Sequence, residues 1–247
     1  MSDVILEARD VSMRFGQFKA LSNISASFRA RELCAIIGPN GAGKSTFFNI
    51  LSGAIAPTTG RVLFRGDDVT ALPQHAYARL GIAKSFQITN VFKQLSAHEN
   101  VRVAVQMRHA RFDFLRARTA LAGVAEQAQA LLERVGLGNV PGRTAADLAH
   151  GQQRALEMAM ALASDPQLLL LDEPTAGMSP EETTVMMGLI EQLAAERTVI
   201  LVEHKMKLVM GICRRLIVLH HGELLADGTP QDIRANAEVR RVYLGKG

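Results

Sequence analysis

The apolar positions of the chain change their period along its length. Ile24, Ala26 and Phe28 alternate with Ser25 and Ser27, the period of a strand with one buried face. Strands are expected over 4–8 and 21–28, with a turn at Gly16. Leu33-Cys34-Ala35-Ile36-Ile37 is a continuous apolar run ending at Gly38, which suits a strand covered on both faces. A helix is expected over 44–51 and a strand over 61–65, entered through Thr58-Thr59-Gly60. From about 88 to 160 the pattern becomes helical: Ala125, Ala128, Leu131, Leu132 and Val135 recur at spacings of three and four. Four leucines, 168–171, return the chain to a sheet. Ser179 then reads as the cap of a helix, with Pro180 at its first position, Glu181 and Glu182 in its first turn, and an apolar stripe through Val185, Leu189 and Leu193 with Met186 and Ile190. Residues 198–203 form another buried run, 215–219 and 223–227 flank a turn at His221-Gly222, and short helices are expected over 230–236 and 238–244. Strands alternating with helices, after an antiparallel start, imply an α/β fold with a mainly parallel central sheet.

Composition narrows the partners. Of 247 residues, 48% are hydrophobic and 21% charged, and the formal net charge is +4, as in an ordinary globular domain. With ten Phe, two Tyr and no Trp, the chain lacks the rings of a nucleic-acid stacking surface, so no nucleic acid is expected as partner. A local basic excess, Arg102, Arg108, Arg111, Arg116 and Arg118, suits either a solvated helix face or contact with anionic headgroups or an acidic partner loop. The two cysteines, Cys34 and Cys213, form no CxxC pair, and Cys34 sits in an apolar run as a small buried hydrophobe. No apolar run approaches 18 residues, so no membrane crossing is expected, and the acidic start shows no secretory leader.

The first chemical motif lies where the 33–37 run meets the 44–51 helix. Gly38-Pro39-Asn40-Gly41-Ala42-Gly43-Lys44-Ser45-Thr46 contains GxxxxGK[ST], a pattern met by chance in roughly 1% of chains this long. A polyphosphate needs several converging backbone N–H donors, which glycines allow to approach closely, and a helix N-terminus adds a favourable dipole. Asn40, Gly41, Ala42, Gly43, Lys44, Ser45 and Thr46 are therefore candidate phosphate-binding residues. Lys44 supplies a point charge at the β- and γ-phosphates, and the Ser45 hydroxyl is a candidate Mg²⁺ ligand.

The second motif is acidic. Asp172 and Glu173 follow the four leucines. Adjacent carboxylates at the mouth of a buried strand are unfavourable without a cation, and Mg²⁺-nucleotide would be that cation. Asp172 is the expected Mg²⁺ holder, and Glu173 is expected to orient and deprotonate the attacking water. No Asn-Lys-x-Asp sequence for reading guanine occurs, so ATP is the expected nucleotide.

From Phe15 to Leu244 the order of motifs resembles the nucleotide-binding domains of ABC transporters. The resemblance implies a P-loop NTPase of ABC type, with a nucleotide-binding core over 1–87 and 161–247 and an inserted helical lobe over 88–160. It implies that Phe15 stacks on adenine and that Gln87, in Ser85-Phe86-Gln87, touches Mg²⁺ and links core to lobe. His204 would contact the γ-phosphate. Leu148-Ala149-His150-Gly151-Gln152-Gln153-Arg154 would be the signature, with Ala149, Gly151 and Gln152 binding the nucleotide of a facing ATPase subunit. Residues 176–179 would join the two subunits. The implied partners are a second ATPase subunit, identical or not, transmembrane permease subunits and, indirectly, an extracytoplasmic solute-binding protein. The implied location is the cytoplasmic face of the inner membrane.

Two departures stand out. Ala149 replaces the signature serine and His150 its first glycine, while Ser179 stands where many relatives carry Asp. Met206-Lys207-Leu208-Val209-Met210-Gly211-Ile212 and Val242-Tyr243-Leu244-Gly245 resemble the ATPases of branched-chain amino-acid importers, with urea or amide importers and lipopolysaccharide exporters as alternatives. Soluble ABC ATPases of ribosomes or DNA usually carry two cassettes or a long coiled coil, and this chain shows neither. Lys44, Gln87, Glu173 and His204 together argue against a cassette that binds without hydrolysing. His220 and His221 are expected on one strand, facing opposite ways.

Overall fold

The computed structural model describes residues 3–84, 91–109 and 117–244. The chain divides into two compact units. The first comprises 1–84, 167–173 and 190–247; the second comprises 85–166 and 174–189.

The first unit begins with β1 (Val4–Phe15) and β2 (Phe18–Arg29), an antiparallel hairpin. Next come β3 (Leu33–Ile37), α1 (Lys44–Leu51), β4 (Thr59–Phe64), β5 (Asp67–Asp68), α2 (Gln74–Leu80) and β6 (Ile82–Lys84). β2, β1, β4 and β5 form a four-stranded antiparallel sheet. β7 (Leu168–Asp172), β8 (Thr198–Val202), β9 (Arg215–His220) and β10 (Glu223–Gly228) join β3 and β6 in a second sheet. Its order is β10-β9-β3-β8-β7-β6, parallel except for the β9–β10 pair. Every residue of β3, β7 and β8 is buried, as a strand covered on both faces requires. One core joins the two sheets: Phe47 and Phe48 of α1 pack with Leu6, Ile24 and Phe28 and with Leu168, Leu170 and Ile200. Arg215 ties the sheets polarly, donating to the Ser27 carbonyl and pairing with Asp227.

β1 continues seven residues past the expected end. The register against β2 shifts between Ala8 and Val11, where Asp10 adopts φ 50° and its N–H donates to Ser25 Oγ at 2.9 Å. This bulge breaks the period-two alternation that would otherwise run the length of the strand. α2 and β6 were not anticipated. β6 has only three residues, too few to show a period. α7 (Met206–Ile212) follows β8, and α8 (Pro230–Ala235), α9 (Ala237–Val239) and a π-helical turn at Arg240–Leu244 close the chain. Asp232 caps α8 reciprocally with Thr229.

The histidine expectation is corrected. β9 ends at His220, and His221 lies in the turn with φ 48°. Positive φ abolishes the alternation, so the two rings lie together, with centroids 3.9 Å apart.

The second unit is built on α3 (Ala97–His109), α4 (Ala117–Arg134), a 3-10 turn at Ala145–Asp147 and α5 (His150–Leu162), and it takes the first part of α6 (Pro180–Ala194). Val101, Val105, Val124, Ala128, Leu132 and Leu156 form its interior. Asn100 is fully buried and satisfied: it accepts from Phe92 N–H at 2.7 Å and donates to the Ser96 carbonyl at 2.9 Å. It thereby fastens the loop ahead of α3 to the helix. Cys34 and Cys213 are buried free thiols, and burial pushes Cys213 up to about 12.

Candidate nucleotide site

β3 carries the chain to Gly38 at the carboxyl end of the parallel strands, where ligands bind in open α/β sheets. A Cβ on Gly38 would run into the Leu219 carbonyl oxygen of β9, and one on Gly43, at φ 96°, would meet Leu21 Cδ2 at 2.6 Å. These glycines let the loop turn between the two sheets. Gly222 N–H donates to the Ala42 carbonyl at 3.1 Å, and Ser22 N–H to the Gly222 carbonyl at 2.8 Å. The His221-Gly222 turn thus laces the loop to β2, which sequence reading missed.

Phe47 N–H bonds the Gly43 carbonyl at 2.9 Å. The N–H groups of Lys44, Ser45 and Thr46 come before that bond, among the donors a helix leaves over at its start. Asn40, Gly41 and Ser45 are exposed and Ala42 is buried. The Lys44 ammonium folds back on the loop, donating to the Gly38 carbonyl at 2.8 Å and the Pro39 carbonyl at 2.9 Å. Burial lowers its pKa, while Glu173 and Asp172 pull it back up. One cation and two carboxylates therefore lie close enough to feel one another's charge.

Asp172 ends β7 and is only 8% exposed. Burial raises its pKa first and Glu173 second, with Lys84 and Lys44 opposing. Glu173 leaves the strand at φ 45°, and its N–H donates to the Val202 carbonyl at 2.9 Å. A left-handed residue is uncommon outside glycine, and at a strand end it turns the side chain out of the sheet's alternation. Glu173 Oε1 lies 3.6 Å from His204 Nδ1. His204 is held from behind by Glu203, a completely buried carboxylate that accepts its backbone N–H at 3.2 Å. Glu203 closes the buried run expected over 198–203, but nothing in that pattern marks it as a support for His204.

The structure thus brings Lys44, Ser45, Thr46, Asp172, Glu173 and His204 together in the first unit. Phe15, 51% exposed, ends β1 opposite Phe18, 66% exposed. Gln87 lies outside the described residues. The loop fits a polyphosphate, because it offers leftover donors and a lysine held only by carbonyls. Among the described residues no group of three or more His, Cys, Asp or Glu side chains could hold a metal ion. Asp172 and Ser45 fit a Mg²⁺ that arrives on nucleotide phosphates, the usual way this ion is held.

Ala149, Gly151 and Gln152 belong to the second unit. Ala149 caps α5 without a side-chain oxygen, and its N–H donates to Gln152 Oε1 at 3.1 Å, half of a capping box. Gly151 N–H donates to Glu182 Oε1 at 3.1 Å, and Glu182 Oε2 accepts Ser179 N–H at 3.0 Å. Ser179 Oγ in turn accepts Glu182 N–H at 3.2 Å, as the expected cap requires. One carboxylate therefore serves the starts of both α5 and α6.

Comparison with known proteins agrees with this geometry. Residues 21–176 match the family model described as ABC transporter. Residues 223–247 match that described as branched-chain amino acid ATP-binding cassette transporter. The chain is 42% identical to the high-affinity branched-chain amino acid transport ATP-binding protein BraF of Pseudomonas aeruginosa, with all of both chains covered. It is 31% identical to the lipopolysaccharide export system ATP-binding protein LptB of Escherichia coli K12, covering 98% of this chain and 97% of that one. A solved ADP conformation of an ATP-binding cassette of an ABC transporter superposes with a TM-score of 0.85 at 26% identity, covering 99% of this chain and all of the other. With the glycine-rich loop and the acidic strand end both following strands of one parallel sheet and the family model matching well over half its length, the chain belongs to the ABC transporter family as an ATP-binding cassette.

Proposed function

We propose that the chain hydrolyses ATP to drive a membrane importer of branched-chain or other hydrophobic amino acids. The observation that carries the ATPase reading is the grouping of Lys44 with Asp172 and Glu173, and of Glu173 with His204, at the carboxyl end of the parallel strands. The 42% identity to an amino-acid transport cassette, against 31% to a lipopolysaccharide export cassette, favours the cargo class. Among the described residues no helix is long and apolar enough to cross a membrane, so permease subunits in other chains would carry the cargo. Their docking surface on this chain would be the helical lobe, where Phe92 is 53% and Met107 77% exposed. The site of action would then be the cytoplasmic face of the membrane, with a solute-binding protein delivering cargo on the other side.

The leftover N–H donors of Lys44, Ser45 and Thr46, with the glycine-rich turn ahead of them, hold the phosphates, and Lys44 swings from its two loop carbonyls to the β- and γ-phosphates. Phe15 stacks on adenine, a contact that reads ring shape more than hydrogen-bonding pattern. Ser45 and Asp172, with Gln87, would hold Mg²⁺, which when bound neutralises developing phosphate charge. Glu173 orients the attacking water and takes its proton, while His204 contacts the γ-phosphate. General-base catalysis is worth about 10²–10⁴-fold. In Glu173→Gln, nucleotide affinity should stay near that of the natural chain while turnover falls by about that factor. Turnover within about twofold of the natural chain in that variant would remove Glu173 from the role.

A further inference from the structure

Lys84 is a charge that the mechanism above does not use. It ends β6, the strand next to β7, and its Cα is in register with Leu170. Neighbours in register on parallel strands share a face, and side chains two apart on one strand share a face. Lys84, Leu170 and Asp172 therefore point to one side of the sheet. α1 packs on β7 there. The Lys84 ammonium donates to Asn49 Oδ1 of α1 at 2.7 Å and lies 5.3 Å from the centre of the Phe48 ring. A half-buried lysine with a fixed head is unusual, because its stem loses rotamer freedom and its charge loses water.

The charge balance supplies the reason. Asp172, Glu173 and the buried Glu203 crowd the ends of β7 and β8, and Lys44 is drawn off to two carbonyls. Burial lowers the pKa of Lys84, and Asp172 is the group that raises it again. Asp172 in turn is opposed in its upward shift by Lys84 ahead of Lys44.

We propose that Lys84, moored to Asn49 on α1, is a positioning residue of the nucleotide site: the resident counter-cation of Asp172, with which the metal of a metal–nucleotide complex competes. This rests on the ATPase reading and goes beyond it. Lys84 touches no phosphate. It acts through Asp172, partly offsetting the burial and the Glu173 charge that raise that carboxyl's pKa, and it ties the phosphate-loop helix to the edge strand.

The test is thermal unfolding of the full chain, first in EDTA and then with ATP at graded Mg²⁺. Lys84→Met removes the charge and keeps much of the stem. Lys84→Gln removes the charge and keeps a polar head for Asn49, and Lys84→Arg keeps the charge. Both neutral variants should melt below the natural chain in EDTA. With ATP, their half-saturating Mg²⁺ should fall by about threefold or more, a modest effect for a unit charge beside a partly screened site. Lys84→Arg should match the natural chain in both measurements. A Mg²⁺ dependence unchanged in both neutral variants overturns the proposal, as does an arginine variant that behaves like them. If neither neutral variant folds while Lys84→Arg does, the counter-cation role stands; if the arginine variant fails too, it falls. The natural chain is the control for the underlying reading. If Mg²⁺ and ATP do not raise its midpoint, the ATPase assignment is at fault rather than Lys84.

Discussion

At the scale of the residue, Asp172 shows how burying one carboxyl beside another opposes stability. Its carboxyl is buried at a strand end beside Glu173, and both facts raise its pKa above the ordinary value. Between the unfolded and the folded pKa the folded chain binds more protons, so this residue's contribution to stability falls as pH rises through that window. At neutral pH it is a net burden in the nucleotide-free chain. Asp172→Asn should therefore raise the thermal midpoint in EDTA at pH 7, and the gain should vanish on acidification below the ordinary aspartate pKa. The same variant should lose the Mg²⁺-dependent part of nucleotide binding. A midpoint that drops at pH 7 would contradict this account. Glu173 shows local strain put to use, since its left-handed backbone sets the carboxylate 3.6 Å from the His204 ring.

At the scale of the element, the start of α5 is the informative place. The notable feature is not the missing hydroxyl at Ala149 but the carboxylate already present. Glu182 accepts Gly151 N–H, the donor on which a facing subunit's γ-phosphate would draw. A phosphate arriving there competes with an anion of the same chain. Glu182→Gln keeps a capping oxygen and loses the charge, so stability of the isolated chain should fall by about 0.3–1 kcal/mol, the usual worth of an anion at a helix start. The affinity of any ATP-dependent dimer should rise by about tenfold, since a charged hydrogen bond no longer has to be broken. Sedimentation in Mg-ATP reads this directly, and equal or weaker association would show that Glu182 only caps α6.

At the scale of the whole molecule, function is divided between two units. The first holds Lys44, Asp172, Glu173 and His204; the second holds Ala149 to Gln152. The signature donors are not needed by the chain's own phosphate loop, which has donors of its own. A head-to-tail pair closing over two ATP molecules would give them a ligand, and hydrolysis would then reopen the pair. Glu173→Gln should trap that closed pair. Sedimentation of this variant with Mg-ATP should show a dimer absent without nucleotide, alone or with a second cassette subunit. A chain that remains monomeric in both mixtures would contradict the sandwich.

The phosphate loop, the acidic strand end and the fully buried strands β3, β7 and β8 were legible in the chain, because each depends on neighbours a few residues away. A glycine-rich turn between strand and helix, or an unbroken apolar run, carries its own physical requirement. The cap of α6 by Ser179 was legible for the same reason. The course of β1 past its bulge was not, since a single left-handed residue at Asp10 destroys the alternation. The proximity of the His220 and His221 rings was hidden by the same kind of break. Tertiary structure alone set Gly222 against the loop, Glu182 on Gly151 and Lys84 on Asn49. Those pairings join groups that are neighbours only after folding, and no local period marks them. Which charge faces which is decided by strand order and register, and these arise from packing the core as a whole.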